Sequence, residues 1–369
     1  MPLNRTLCAL TIATTCFMAS AYADDTFDLQ TLIDNARQEA PITVYAPTGK
    51  IVQQAEDFTE KYGVSAVGVK AKAAQTIEIV SRGARANNVQ ADVVLIEDAP
   101  GTTELLLEPH HVSSWAPEDM TDDIIREYQD PLAVILAPNV WAYNTAEYDS
   151  CPITNIWQLT EDEWRHKVTL QDPAIKPLYI DWFNQMATHH DQEMAEAFHA
   201  FSGKPLDTDE ASATAEFVKR LAQNGPLMTP SDSEAAEAIG TPDAGDSFVG
   251  LISTAAFRDN NNGLALGICH GLEPFIGISY PTFGLMTTQT RSPNAAKLFL
   301  HYLMTEEGIK LQSMDGKMST NTTFALPAEE ASGIEQFRDQ LMMYRTATAG
   351  SDWENRQDWL DLWGMNYSR

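Results

Sequence analysis

The sequence predicts an α/β protein with two lobes, joined by strands that cross from one lobe to the other and return. Strand and helix patterns alternate from residue 29 to residue 96, and a second alternating series begins at residue 168. No segment rich in Pro, Gly or Ser separates the two series as a tether. Such alternation favours mostly parallel sheets with helices on their faces.

The first series contains an amphipathic helix, three strands and two further helices. The predicted strands cover 42–46, 64–69 and 91–96, and the predicted helices cover 29–39, 51–62 and 76–86. Ile51, Ala55 and Phe58 recur at helical spacing, and Gly63 is placed to end their helix. The run 91–96 is apolar except for one aspartate, which is typical of a strand buried on both faces of a parallel sheet.

The later elements continue the alternation after two short strands that flank Pro138, at 132–137 and 140–144. Further strands are predicted at 168–171, 249–253, 276–280 and 283–288. Helices are predicted at 179–201, 211–224, 234–239, 293–304, 306–314, 334–343 and 352–363, with a loop at 316–325. This order implies that the chain leaves the first lobe, forms the second and comes back.

The N-terminus has the pattern of a cleavable secretory signal over residues 1–23. Arg5 supplies one positive charge, an apolar stretch follows, and Ala21 and Ala23 match the signal-peptidase pattern. The apolar stretch is too short for a bilayer span of about 20 residues. We therefore expect cleavage after Ala23 and a mature chain in the periplasm, with an ordinary buried N-terminal helix as the alternative.

Charge and composition narrow the range of partners. The chain has 52 acidic residues against 24 Lys and Arg, a net charge of −28, and loss of Arg5 with the signal makes it more negative. Such a field repels nucleic acid and anionic lipid surfaces. We expect a soluble monomer that binds no nucleic acid, and an anionic solute would need local helix N-termini or lysines.

Two cysteines remain in the predicted mature chain, Cys151 and Cys269. An even pair in an oxidising compartment predicts one disulfide, here within the second lobe. Two buried free thiols are the alternative. A catalytic thiol would need a positioned histidine, and adjacency to His270 in sequence does not provide one.

Four stretches of the chain, in this order and spacing, carry a family resemblance. The first is ITVYAPTG with its helix ending FTEKYGV, at 42–64, and the second is QADVVLIE at 90–97, followed by LEP at 107–109. The third is NVWAYN at 139–144, and the fourth is NAAKLFLHYL at 294–303 with TEEGI after it. Across most of residues 40–320 the chain resembles the periplasmic solute-binding proteins of ABC importers, in the subgroup of ferric-ion and phosphosugar binders.

The resemblance implies a type II periplasmic-binding-protein fold with hinge strands and a ligand cleft. We place lobe 1 at residues 24–138, lobe 2 at 139–277, and the return to lobe 1 with the C-terminal helices at 278–369. The resemblance also implies a substrate-binding component, not an enzyme, that closes its cleft around a solute and delivers the solute to a membrane permease.

One departure from the subgroup bears on the ligand. Its ferric binders hold iron with two adjacent tyrosines after the strand that corresponds to 249–252, whereas this chain has Ser253 and Thr254 there and no Tyr-Tyr pair. Hydroxyls of Ser and Thr do not replace phenolates as Fe³⁺ ligands at neutral pH. We therefore expect a small polar or anionic organic solute, of the phosphosugar or organic acid class. A metal binder that uses carboxylates with a synergistic anion is the alternative.

Candidate solute ligands follow from the rule that ligands sit beyond the carboxyl ends of strands in open α/β sheets. In lobe 1 these positions hold Thr48, Gly49, Lys50, Gln75, Glu97 and Asp98. The alternatives are a plain turn for the first three and favourable charge at a helix N-terminus for the two acids.

In lobe 2 a mixture of charged, amide and aromatic side chains occupies the corresponding positions. The candidates are Asp172, Lys176, Tyr179, Trp182, Asn184, Gln185, Ser253, Thr254 and Tyr280. This mixture suits a small polar ligand, although Trp182 has the core as an equal alternative.

The sequence indicates no metal site, no cofactor and no catalytic residues. The run from His189 to Asp191 lies in a predicted helix, where successive residues point about 100° apart, so we interpret it as a solvated face. The chain contains neither a Gly-x-Ser-x-Gly elbow nor His-Glu-x-x-His. An exported enzyme on the same fold, or a ligand sensor for a membrane receptor, is a further alternative.

Overall fold

The computed structural model describes residues 27–245 and 247–368, so the predicted signal and its cleavage site lie outside the described residues. The strands are β1 (Ile42–Ala46), β2 (Ala66–Lys70), β3 (Val93–Ile96), β4 (Val112–Ser113), β5 (Ala133–Asn144), β6 (Val168–Gln171), β7 (Leu227–Thr229), β8 (Val249–Ser253), β9 (Leu266–Ile268), β10 (Gly277–Thr287), β11 (Met318–Ser319) and β12 (Met342–Met343). The α-helices are α1 (Leu29–Ala36), α2 (Lys50–Tyr62), α3 (Ala73–Ala86), α4 (Ala99–Thr102), α5 (Pro177–His189), α6 (Asp191–Ser202), α7 (Ala213–Gln223), α8 (Asp232–Gly240), α9 (Pro293–Leu303), α10 (Glu306–Ser313) and α11 (Ala349–Asn366).

One continuous sheet organises both lobes. Its main strand order is β2-β1-β3-β10-β5-β8-β6-β7. β1 is parallel to β2 and β3, and β6 is parallel to β7 and β8, whereas the long central strands β5 and β10 are antiparallel to each other. β1 to β3 therefore form the first lobe and β6 to β8 the second, with β5 and β10 crossing between them. The predicted two-lobed α/β fold is confirmed.

Two predicted strand pairs are in fact single strands. β5 continues through Pro138, and β10 continues through Pro281. On one side of β5 the neighbouring strand changes at this point, since β11 pairs with Ile135 and Leu136 while β8 pairs with residues from Asn139 onward. Pro138 lies between the residues that pair with β11 and those that pair with β8. Its missing N–H therefore removes no hydrogen bond from either of these two strand pairings.

Two helical predictions and one loop prediction need correction. The helix predicted at 179–201 is two helices, α5 and α6, because His190 has a non-helical φ of −136°. The segment 334–343 is a 3-10 helix over Ile334–Gln340 followed by β12, and the predicted loop at 316–325 contains β11. The short strand β7 lacks the apolar length that a sequence pattern needs, so it was not predicted.

The core lies on both faces of the crossing strands. Every residue of β5 and β10 is buried. Helix α1 packs on α9 in the first lobe, while α11 packs on α5 and α7 in the second and also contacts α4 in the first. The C-terminal helix thus touches both lobes. Among the described helices, none combines the length and apolarity needed to cross a bilayer.

The predicted disulfide between Cys151 and Cys269 is present, with Cα atoms 5.0 Å apart. Cys151 follows β5, and Cys269 directly follows β9, which pairs with β5. The bond therefore closes a loop of the second lobe and does not link the two lobes.

Candidate functional site

The turn after β1 leads directly into α2, which begins at Lys50. The hydroxyl of Thr48 accepts a hydrogen bond from the backbone N–H of Lys50 at 3.3 Å. Gly49 has a φ of −68°, an ordinary right-handed helical value, so its conformation does not require glycine. The ammonium of Lys50 lies 2.6 Å from the carboxylate of Asp315 and donates to the carbonyl of Leu311 at 2.6 Å.

Asp315 connects this turn to the second lobe. Its carboxylate also pairs with Arg258 at 3.3 Å, and its backbone carbonyl accepts a hydrogen bond from the Thr254 hydroxyl at 3.0 Å. We call Lys50, Asp315, Arg258 and Thr254 the Asp315 cluster. Because Lys50 belongs to the first lobe and Arg258 to the second, this cluster bridges the cleft.

Glu97, directly after β3, pairs with a lysine of the returning chain. The ammonium of Lys317 lies 3.8 Å from the Glu97 carboxylate. From the second lobe, Lys176 donates to the Asn139 side-chain oxygen at 2.7 Å and lies 3.5 Å from Asp232. The charge of Glu97 also acts to raise the pKa of Lys176. For this reason we call Lys176, Lys317, Glu97, Asp232 and Asn139 together the Glu97 cluster.

The charge of Lys176 is well stabilised. Burial acts to lower the pKa of Lys176, but Tyr179, Asp232 and Glu97 more than offset burial, and the pKa is raised above its usual value. The ammonium also lies 5.0 Å from the centre of the Tyr179 ring. Lys176 therefore stays protonated at every physiological pH.

Ser253 ends β8 and is tied to the same group of residues. Its backbone N–H donates to the Asp232 carboxylate at 3.2 Å, and its hydroxyl accepts from the N–H of Ala255 at 3.2 Å. Asp232 is thus held between Lys176 and the strand end, at the first residue of α8.

Asp98 takes part in a different network, although it is the neighbour of Glu97. Its carboxylate accepts from the N–H of Gly101 at 2.9 Å, which caps α4, and from the Arg356 guanidinium of α11 at 2.6 Å. The Arg356 guanidinium also donates to both carboxylate oxygens of Asp181 at 2.8 Å, and the Tyr280 hydroxyl donates to Asp181 at 2.6 Å. We call Asp98, Asp181, Arg356 and Tyr280 the Arg356 network.

Burial dominates the electrostatics of the Arg356 network. Burial raises the pKa of Asp181 to about 6, although the hydrogen bonds and charge of Arg356 oppose this shift. Burial also raises the pKa of the Tyr280 hydroxyl well above its usual value. One guanidinium here faces two carboxylates, so Asp181 takes up a proton more readily than an exposed aspartate.

Asn184 and Gln185, on α5, make hydrogen bonds to α11 and to the segment before it. Asn184 donates to the Asp352 carboxylate at 2.5 Å and accepts from the Trp359 ring N–H at 2.8 Å. The Gln185 amide donates to Asp352 at 2.8 Å and accepts from the N–H of Arg345 at 2.9 Å. Both amides are buried with protein partners, so they anchor the C-terminal helix.

The other predicted ligands lie apart from the cleft clusters or inside the core. Tyr179 is fully buried and donates to the Leu251 carbonyl at 2.7 Å, and Trp182 is buried with its ring 6.2 Å from that of Trp141. The Asp172 carboxylate accepts from the N–H of Ala174 at 2.9 Å within its own turn, and Gln75 is exposed on α3.

The structure therefore places Lys50 and Thr254 in the Asp315 cluster, Glu97 and Lys176 in the Glu97 cluster, and Ser253 next to Asp232 of the latter. It places Asp98, Asn184, Gln185 and Tyr280 in contacts with one another or with α11. The sequence reasoning missed Asn139, Asp232, Arg258, Asp315 and Lys317. Asp232 follows β7 and obeys the strand-end rule, so recognition of that strand would have found it.

The carboxylates between the lobes already have cationic partners. Glu97, Asp232 and Asp315 pair with lysine or arginine, and residues 27–245 and 247–368 contain no group of three His, Cys, Asp or Glu side chains arranged to hold a metal ion. The charged side chains of the two clusters thus form pairs of opposite charge. The clusters contain a larger share of lysine and arginine than the acidic chain as a whole.

Comparison with known proteins identifies the family. A family model described as bacterial extracellular solute-binding protein matches residues 42–316, whereas no curated protein sequence matches significantly. Similar solved structures include the Trichodesmium protein IdiA (FutA) with iron and citrate, at 14% identity and a TM-score of 0.66 over 88% of this chain and 99% of that one. Another is AfuA of Actinobacillus pleuropneumoniae with exogenous fructose 6-phosphate, at 18% identity and a TM-score of 0.63 over 88% and 98%.

Iron-bound HitA of Pseudomonas aeruginosa has a TM-score of 0.65 at 14% identity, over 88% of this chain and 99% of that one. At such identities the structures show a common fold. The family match covers most of the chain and confirms the resemblance seen in the sequence. The protein belongs to the bacterial extracellular solute-binding family, and it is a solute-binding protein of the ABC-importer type.

Proposed function

We propose that this chain is the periplasmic component of an ABC importer for a small polar or anionic organic solute, such as a phosphorylated sugar or an organic acid. One observation carries the choice of solute. In a chain with a net charge of −28, four cations, Lys50, Lys176, Arg258 and Lys317, belong to the two charged clusters, each paired with a carboxylate. The overall field repels anions at long range, so cations concentrated here serve short-range recognition.

The Asp315 cluster joins residues from opposite lobes, and the charge of Glu97 acts on Lys176 of the other lobe, which suits capture by closure. A solute that contacts Lys50 or Lys317 on one side and Lys176 or Arg258 on the other favours the closed arrangement of the lobes. A related fold binds fructose 6-phosphate in AfuA, which supports this solute class. Ser253 and Thr254 add hydroxyls at the same strand end.

A solute panel with two readouts tests the proposal. A solute at one hundred times its dissociation constant stabilises the folded state by about 2.7 kcal/mol, which raises the melting temperature measurably. Small-angle scattering should show compaction with the same solute, and mass spectrometry of the denatured protein should identify what co-purifies. A panel of sugars, phosphosugars and organic acids that changes neither readout contradicts the proposal.

A ferric binder is the second candidate, because two of the similar structures contain iron. The pairing of Glu97, Asp232 and Asp315 with cations disfavours it, as does the presence of Ser253 and Thr254 where ferric relatives use tyrosines. Elemental analysis of protein purified without chelator decides the question. Stoichiometric iron would replace the organic solute as the cargo.

The proposal includes an exported, monomeric, non-catalytic protein that docks on a membrane permease. Membership of an extracellular solute-binding family supports this location and partner. N-terminal sequencing of the exported protein should begin at Asp24, and light scattering should give the mass of one chain. Turnover of any bound solute would indicate an enzyme instead.

A further inference from the structure

A direct ion pair between the two lobes forms at Asp315. This residue follows α10, which packs on α2 and α9 of the first lobe. Arg258 lies in the 3-10 helix Thr254–Asn262, which follows β8 and packs on α8 and β9 of the second lobe. The guanidinium of Arg258 lies 3.3 Å from the Asp315 carboxylate, so the pair links one lobe to the other.

The Asp315 carboxylate is held in place from the first-lobe side. One of its oxygens lies 2.6 Å from the Lys50 ammonium, which also donates to the Leu311 carbonyl, and the other oxygen faces Arg258. The Asp315 side chain is 9% exposed, whereas that of Arg258 is 55% exposed. Because Lys50 fixes the carboxylate, the pair separates when the Arg258 side chain moves away or when the second lobe moves.

We propose that Arg258 and Asp315 form a latch that stabilises the closed arrangement of the lobes, in which these two residues touch, before any solute is bound. The Thr254 hydroxyl adds a second link between the lobes, since it donates to the Asp315 backbone carbonyl at 3.0 Å. The latch acts on the equilibrium between open and closed lobes. It therefore goes beyond the proposed binding function and requires no particular solute.

The exposure of Arg258 sets the strength of the latch. An ion pair with one half-exposed partner is screened by water and salt, so it shifts an equilibrium by a factor of a few and does not lock it. A permanently closed cleft would exclude the solute. A weak latch lets the lobes reopen, yet it raises the fraction of molecules that are already closed and so lowers the cost of closure around a solute.

Distances between spin labels on the two lobes test the latch without any solute. The labels are attached to cysteines introduced by Glu56→Cys on α2 and Glu237→Cys on α8, where both native side chains are exposed. Variants of Arg165 are the matched control. Arg165 pairs with Asp162 within the second lobe and is 49% exposed, close to the value for Arg258.

We expect the wild type to show a population at the label distance of this structure. Arg258→Met should lower the ratio of closed to open molecules by about threefold. Arg258→Glu, which places a like charge beside Asp315, should lower it by about tenfold, and Arg258→Lys should stay within about twofold of wild type. Arg165→Met and Arg165→Glu should leave the ratio almost unchanged. Raising the salt concentration should open the wild type but not Arg258→Met.

Three results would overturn the latch. One is the absence of the closed distance from the wild type. Another is a ratio in Arg258→Met equal to that in Arg165→Met. The third is an opening in Arg258→Lys as large as that in Arg258→Met, which would show that charge is not the cause. None of these results touches the importer function, because no solute is present, and failure of the solute panel would leave the latch standing. A melting curve for each variant confirms that it is folded.

Discussion

Two sets of charged side chains, the Glu97 cluster and the Arg356 network, differ in distance, burial and type of cation. In the Glu97 cluster, lysines pair with Glu97 and Asp232 at 3.8 and 3.5 Å, and all of these groups keep contact with solvent. In the Arg356 network, a guanidinium grips two carboxylates at 2.6 to 2.8 Å, and Asp181 is fully buried. The longer, partly solvated lysine pairs can be separated by a competing anion at a small cost in free energy. Separating the short, buried arginine pairs costs much more.

Glu97 and Asp98 make the contrast especially clear, because they are adjacent in sequence and belong to different sets. Glu97 faces Lys317, while Asp98 caps α4 and bonds Arg356 of the C-terminal helix. Successive side chains of extended backbone point to opposite sides. Glu97 therefore belongs to the charged cluster at the cleft, whereas Asp98 stabilises the contact between α11 and the first lobe.

The largest expected effect comes from breaking the Arg356 network. Arg356→Met leaves Asp98 and Asp181 without their cation, and removing one partner of a buried ion pair costs about 3–5 kcal/mol. Urea denaturation at pH 7.5 should show this loss of unfolding free energy. Arg165→Met, which removes an exposed ion pair with Asp162, is the control and should leave the midpoint almost unchanged. If Arg356→Met and the control behave alike, the network contributes nothing to stability.

Loss of the disulfide should lower the unfolding free energy nearly as much as Arg356→Met does, but it should leave the solute affinity almost unchanged. Replacing both Cys151 and Cys269 by Ser should lower the unfolding free energy by about 2–4 kcal/mol, because the bond closes a loop across a sequence separation of 118. Solute affinity should stay within about twofold of wild type, since the bond lies within one lobe. A large loss of affinity in a folded variant would show that the disulfide acts on the cleft.

A pH series tests the burial of Asp181. Its pKa is raised from 3.8 to about 6, so the folded state holds this proton more tightly than the unfolded state does. The stabilising contribution is therefore complete below about pH 4 and is lost as the pH rises through about 6, by roughly 3 kcal/mol in all. Urea denaturation from pH 4 to pH 7.5 measures it as the difference between wild type and Asp181→Asn. A difference that is independent of pH would show that Asp181 titrates normally.

The smallest expected effect on stability comes from the cleft. Lys317→Met should change the unfolding free energy by less than about 1 kcal/mol, because its pair with Glu97 is long and partly solvated. The same variant is expected to lose affinity for an anionic solute, because Lys317 is one of the cations of the proposed binding site. A loss of unfolding free energy as large as that of Arg356→Met would show that the Glu97 cluster stabilises the fold as much as the Arg356 network does.

Local pattern was a good guide to the elements that are apolar and regular. The bounds predicted for β1, β6 and β8 match the structure, and α2 ends at Gly63, whose φ of 69° suits glycine. The errors fell where local signals conflict with long-range pairing. Pro138 and Pro281 look like strand breaks, yet both lie within fully buried strands because neighbouring strands fix the backbone there.

The candidate site was only partly accessible from sequence. Lys50, Glu97 and Lys176 follow or approach strand ends, so the general rule for α/β sheets selected them. The same rule selected Asp98, Asn184, Gln185 and Tyr280, which the structure places in hydrogen bonds with one another, with α11 or with Asp181. Their partners lie in the last 30 residues or, for Tyr280, on α5, so no local pattern distinguishes them.

By itself the sequence determined the alternation of strands and helices, the order of the two lobes, the family and the cysteine pair. The alternation, the lobe order and the cysteine pair follow from residue periodicity, turn residues and composition, which act over a few positions. The family follows from the resemblance of four sequence stretches. Only the tertiary structure decided which charges meet. Lys317 reaches Glu97, and Arg356 reaches Asp98, because the returning chain passes the ends of the first strands, and ion pairs depend on distance in space and not along the chain.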